Sequence, residues 1–156
     1  GTNISEGRGT TRPLELLGHP KIDPWTLKSH LDKTLTDFGQ KGFILRPINF
    51  QPTFQKHTGI PCGGFFIHVT DRKQFNPWRV CQILCKEFYQ NLGSDFKYKE
   101  DPYEYESTMN AVDMVNGTDR LRHWYESNGE NEFLNQIENE RLNEYREIKQ
   151  SIEIYK

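Results

Sequence analysis

Leu27, Leu31, Leu35 and Phe38 recur at i, i+4, i+8 and i+11, the spacing that gathers apolar side chains on one face of a helix. Asp23 precedes Pro24 at its start and Gly39 follows its end, matching an N-cap, a first-turn proline and a stop. Trp78, Cys81, Leu84, Cys85 and Phe88 repeat the pattern after Asn76 and Pro77, which predicts a second helix. Between the two, FILRPINF (43–50) and GGFFIHVT (63–70) are rich in aromatic and β-branched residues and predict strands. Pro47 places the first of these at a sheet edge or a bulge. Short helices are predicted over 111–115 and 119–125. A long terminal helix is expected to carry Leu134, Ile137, Leu142, Tyr145, Ile148 and Ile152 inward on one side. A helical turn is expected at 13–17, stopped by Gly18 and Pro20. Residues 93–111 are loop-rich, with a tyrosine cluster at Tyr98, Tyr103 and Tyr105. With no internal repeat or interior linker, these elements give the α+β class: one domain with a small mixed sheet packed against several helices.

Composition narrows the function classes. Aromatic residues make up 13% of the 156 positions, which argues against a disordered chain. The formal net charge of -2 gives no reason to expect nucleic acid or an anionic membrane as partner. No apolar run reaches the ~20 residues of a membrane span. Charge is nevertheless uneven. Residues 1–78 carry 10 Lys/Arg against 6 Asp/Glu, and residues 79–156 carry 10 against 16. The basic half also holds His19, His30, His57 and His68, so a site for an anionic ligand is expected there; the alternative is a chance fluctuation of surface charge. Cys62, Cys81 and Cys85 are too few and odd in number for a disulfide framework. Cys81 and Cys85, one turn apart on the apolar stripe, read as buried thiols; Cys62 reads as a loop thiol. Nothing in the spacing calls for a metal or a cofactor, and the opening glycines lack the Gly-Lys-Ser/Thr ending of a phosphate loop.

Candidate chemistry gathers in two loops. In GTNISEGRGTTR (1–12), Glu6, Arg8 and Arg12 stand among Asn3, Ser5, Thr10 and Thr11. Hydroxyls and amides of this kind suit a sugar, and an arginine fork suits a carboxylate through two parallel N–H bonds. The alternative is that Glu6 and Arg8 pair with each other and brace a turn. In QPTFQKHTGIPC (51–62), Thr53, Lys56 and His57 precede Gly59. His57 is either an acid, base or ligand anchor, or an ordinary surface histidine. His68, Asp71 and Arg72 end the second strand, where Asp71 and Arg72 also read as strand-to-helix punctuation. Asn3 and Asn116 open glycosylation triplets, which matter only in a eukaryotic secretory pathway.

The run GTNISEGRGTTRPLE (1–15), with PTFQKH (52–57), IHVTDR (67–72) and the ending Ile154-Tyr155 in the same order, resembles the NamZ/YbbC-like family of bacterial exo-β-N-acetylmuramidases. The resemblance covers essentially the whole chain. Leu14 stands where the family usually has Phe, and the C-terminal arginine-and-leucine pattern is weaker. The resemblance implies that residues 1–156 are the C-terminal domain of a two-domain protein whose larger Rossmann-like domain comes first and is absent from this chain. It implies release of terminal N-acetylmuramic acid from peptidoglycan fragments, in a pocket between the domains, with the main catalytic carboxylate on the other domain. It implies a periplasmic or secreted setting and no cofactor. The site residues expected here are then Glu6 as a catalytic carboxylate, with Asn3, Ser5, Arg8, Thr10, Thr11, Arg12, Thr53 and His57 binding substrate. The partners would be the muramic acid glycan and the other domain. A non-catalytic module binding cell-wall glycan or protein is the competing reading, with a transferase or lyase on the same sugar as a third.

Overall fold

A computed structural model describes residues 1–129 and 131–155. Asp23 caps α1 (Pro24–Asp37): its Oδ1 accepts from the backbone N–H of Trp25 and of Thr26. Leu27, Leu31 and Leu35 are buried along the helix, as their spacing predicts. The predicted strands are β2 (Phe43–Phe50) and β3 (Cys62–Val69). A third strand, β1 (Leu16–His19), replaces the helical turn expected at 13–17. Leu14 sits at φ 66°, in the left-handed region, which breaks any helical run and turns the chain into the sheet.

The sheet order is β1-β3-β2. Both pairings are antiparallel, so the sheet is not mixed as expected. Pro47 lies on an edge strand, where its missing N–H costs nothing. Gly18 lets β1 approach β3: a Cβ there would lie 2.4 Å from the Gly63 carbonyl oxygen. Phe65 and Leu45 point to the core side of the sheet, against α1 and α2 (Pro77–Leu92). Phe66 and His68 point to the opposite face.

Asn76 caps α2 through its Oδ1, which accepts from the Arg79 N–H at 3.0 Å. Its buried stripe runs through Val80, Ile83, Leu84 and Phe88 rather than through Cys81, which is exposed. After a 3₁₀ turn (Gly93–Asp95) come α3 (Ala111–Asn116), α4 (Arg120–Glu126), α5 (Asn131–Asn139) and α6 (Leu142–Ile152). Lys86 of α2 ties α4 down: its Nζ donates to the carbonyls of Trp124 and Ser127 at 2.7 Å each, satisfying groups that a helix end leaves open.

The C-terminal helix is present as α6, but the helical stretch turns at Arg141 (φ 56°). That turn divides the expected stripe. Leu134 is fully buried, whereas Tyr145, Ile148 and Ile152 face solvent. Among the described residues no helix is long and apolar enough to cross a membrane.

Candidate functional site

The opening loop runs along the free edge of β1, fixed by paired backbone bonds. Ser5 donates to the Gly18 carbonyl at 2.8 Å and Gly18 returns a bond at 3.0 Å. Asn3 exchanges bonds with Lys97 and donates through Nδ2 to the Asp95 carbonyl at 2.8 Å. The 51–61 loop folds back onto this segment. Thr53 donates to the Gly9 carbonyl from both its N–H (2.9 Å) and its Oγ1 (2.8 Å). Gly9 adopts φ 84°, and a Cβ on it would sit 2.7–2.8 Å from backbone atoms of Thr53 and Phe54. Only glycine fits that crossing. Gln55 and His57 also take left-handed φ values of 68° and 56°. The second loop is therefore held in a strained shape by its contacts with the first.

Glu6 sits where the two loops meet. Its Oε2 accepts from Lys56 Nζ at 2.9 Å and its Oε1 lies 3.2 Å from Arg8 Nε. Lys56 also donates to the Ile4 carbonyl at 2.8 Å. Burial opposes ionisation of Glu6, but the hydrogen bond and charge of Lys56, with Arg8 behind them, outweigh it and hold the carboxyl below its usual value. Glu6 is thus an anion at neutral pH. Arg8 is more than half exposed, and no described residue partners its Nη1 or Nη2. The pairing considered as the alternative therefore occurs, yet it occupies only the Nε side and leaves the outer fork open.

His57 Nε2 lies 2.6 Å from the Asn3 carbonyl oxygen, which can only accept, so the proton is on Nε2. Its ring meets that of His19 edge-on, with centroids 4.8 Å apart. Burial, and then the neighbouring His57, push His19 below its ordinary pKa.

These bonds revise several expected contacts. Ser5 is 1% exposed, so its hydroxyl cannot meet a ligand. The Asn3 side chain is used in bracing, Thr10 Oγ1 donates to the Gly7 carbonyl at 2.6 Å, and the Thr53 hydroxyl donates to Gly9. Those three donors shape the loop instead of reaching outward. Arg8, Thr11 and Arg12 remain on the exposed side. Cys62 is not a loop thiol; it begins β3, fully buried.

Composition alone missed Lys56 as the partner of Glu6, because 50 residues separate them. It also missed Arg46, which the β2–β3 register sets opposite Phe66, with its Cζ 5.1 Å from that ring's centroid. The only available signal was that Arg46 and Phe66 each stand in a predicted strand.

A three-stranded antiparallel sheet backed by helices, with a glycine- and arginine-rich loop bridged to the β1 edge, defines a small α+β domain. The chain belongs to the family described as "Exo-beta-N-acetylmuramidase NamZ, C-terminal", whose pattern it matches over residues 1–155. It is 40% identical over 98 residues to the peptidoglycan beta-N-acetylmuramidase NamZ of Bacillus subtilis (strain 168). That match covers 63% of this chain and 23% of the relative. A crystal structure of a DUF1343 family protein from Bacteroides fragilis NCTC 9343 shares the fold, with a TM-score of 0.74 at 16% identity. The alignment covers 99% of this chain and 38% of that one, so the chain spans well under half the length of either.

Proposed function

We propose that this chain forms one wall of the sugar pocket of an exo-β-N-acetylmuramidase. The rest of the pocket, and the principal catalytic carboxylate, belong to the part of the relatives' length that the chain does not cover, read as a Rossmann-like domain. The substrate we assign is peptidoglycan-derived glycan ending in N-acetylmuramic acid, and the setting we assign is the periplasm or the cell exterior.

The observation that carries this reading is the braced arginine. Lys56 fixes Glu6, Glu6 holds Arg8 by Nε, and the outer edge of the guanidinium stays open. N-acetylmuramic acid differs from N-acetylglucosamine by a lactyl ether bearing a carboxylate. A guanidinium pre-oriented in this way accepts that carboxylate through two N–H bonds with little further loss of freedom. Thr11 and Arg12 are exposed in the same loop, and His57 holds that loop through the Asn3 carbonyl. Asn3, Ser5, Thr10 and Thr53 contribute by setting the loop's shape.

Glu6 is the carboxylate this chain brings toward the reacting centre. Held ionised, it can accept a proton or stabilise positive charge growing at the anomeric carbon, but it cannot donate a proton. The acid that protonates the leaving oxygen must therefore come from elsewhere.

The test is hydrolysis of a chromogenic β-N-acetylmuramide and the matching β-N-acetylglucosaminide by a protein carrying this chain together with the preceding region of its relatives. Arg8→Ala should cost on the order of 2–4 kcal/mol in kcat/KM on the muramide and far less on the glucosaminide. Equal losses on both sugars would make Arg8 a structural brace. Binding of cell-wall glycan with no turnover on either substrate would favour the non-catalytic module.

A further inference from the structure

Beside the opening loop, the second face of the sheet carries a cavity of about 700 Å³, and of its cations the muramidase reading uses only Arg12. Arg12 from the opening loop, Arg46 from β2 and Arg72 from the β3–α2 connection line it, around Phe66 and His68 of β3. Glu15 is the one carboxylate in the lining, 3.6 Å from Arg12. Arg46 and Arg72 have no ion-pair partner among the described residues. The guanidinium carbons of Arg46 and Arg12 lie 5.1 and 5.9 Å from the centre of the Phe66 ring. The His68 ring lies against that ring, tilted by 35° with centroids 3.9 Å apart, and its Nε2 is buried without a hydrogen-bond partner among the described residues. Two cations thus lie over one aromatic ring and a third lines the same cavity, against a single carboxylate, which leaves the cavity with a net positive charge that an anion would complement.

We propose that this cavity binds a ligand carrying two or more carboxylates, laid across Phe66 and held by Arg46 and Arg72 with Arg12 at its edge. Separate planar forks spread around a ring match several carboxylates on one extended molecule, each taken in the paired geometry that arginine favours. A single phosphate is the poorer fit. Phosphate sites converge backbone N–H groups on one point, as at a helix N-terminus. Here the first residue of α2 is Pro77, which has no N–H, and the Arg79 N–H is already taken by Asn76. This binding does not depend on glycosidase activity, so its failure leaves the muramidase reading standing.

The test is a titration of the isotope-labelled 156-residue chain with tricarballylate at low ionic strength, followed by ¹H–¹⁵N NMR, with acetate and inorganic phosphate as comparators. Saturable shifts are expected at the amides of Arg46, Phe66, His68 and Arg72. Arg46→Gln and Arg72→Gln should each weaken tricarballylate binding at least fivefold, while resonances of the α2 core stay in place. Acetate should bind far more weakly. Absence of saturable shifts at these amides, or unchanged affinity in both variants, overturns the site. Phosphate binding as tightly as tricarballylate at the same amides overturns the polycarboxylate assignment.

Discussion

Lys56 Nζ donates to Glu6 Oε2 at 2.9 Å across 50 residues of sequence, and the same ammonium donates to the Ile4 carbonyl at 2.8 Å. One cation therefore joins the 51–61 loop to both backbone and side chain of the opening loop. Because that cation keeps Glu6 ionised, the orientation of Arg8 depends on a residue that itself need not touch ligand.

Replacing Lys56 with Met should release this joint. At neutral pH the loss expected is about 1 kcal/mol, since the pair is roughly one-third exposed and partly screened. The folded-state pKa of Glu6 lies below its ordinary 4.5. Its contribution is therefore fully present above that value and is lost as the pH falls through the depressed one. Denaturant unfolding of the native chain and Lys56→Met should differ at pH 7, and the gap should close as the pH falls below 4.5 through the depressed value. A gap that persists undiminished in acid would mean that the Ile4 bond, not Glu6, carries the joint.

Gly9→Ala tests the crossing of the two loops. The added Cβ meets backbone atoms at 2.7–2.8 Å and the residue would have to keep φ 84°. Both effects work against the same turn, and about 2 kcal/mol or more of destabilisation is expected. Amide resonances of residues 53–57 should move while those of α1 stay in place. A variant as stable as the parent with both loops unshifted would show that the crossing tolerates a side chain.

The thiols give an alkaline counterpart to the Glu6 effect. Burial pushes Cys62 up to about 11 and Cys85 up to about 12. Both folded values exceed the unfolded one, so their share of stability is present below about pH 9 and lost as the pH rises through 11 to 12. Native chain at about pH 8 should release one equivalent of thiolate product to a dithiobis reagent, from exposed Cys81. The other two should react only on unfolding. Rapid native labelling of Cys62 would contradict its burial at the start of β3.

The helices that could be read from sequence were those whose caps and stripes agree. Asp23-Pro24 and Asn76-Pro77 fix where α1 and α2 begin, and leucines at fourfold spacing fix the buried face of α1. In α2 the expected stripe and the buried face share Leu84 and Phe88, Trp78 and Cys85 pack partly buried against the core, and only Cys81 lies outside it, where Val80 and Ile83 take the buried positions. β1 escaped notice because it has four residues, one a glycine, and is defined by pairing with β3 more than by its own composition. The exposed apolar residues of α6 follow a helical period without a covering surface, so periodicity alone could not tell them from core. The same division holds for the site. Glu6, Arg8 and His57 stand in loops whose composition marks them, whereas Lys56 with Glu6 and Arg46 with Phe66 are neighbours only through the tertiary fold.

The last prediction concerns turnover by the chain alone. Glycoside hydrolysis by paired carboxyl groups needs one group that can donate a proton and a second that stays ionised, placed on either side of the bond. Glu6 satisfies only the second requirement, because Lys56 and Arg8 hold it ionised. Glu15, the nearest further carboxylate of the signature, is engaged by Arg12 at 3.6 Å and lines the arginine cavity. The purified 156-residue chain should therefore show no hydrolysis of a chromogenic β-N-acetylmuramide above a Glu6→Gln control at any pH between about 4 and 8. In the protein that also carries the preceding region of its relatives, Glu6→Gln should lower kcat by at least tenfold without a comparable rise in KM, as expected for a group that acts on charge developing in the transition state. Loss of Glu6 would also loosen Arg8, so Lys56→Met serves as the comparison: it disturbs the brace but leaves the carboxylate. If both variants lose muramide activity equally and through KM, Glu6 positions Arg8 and takes no part in the chemistry.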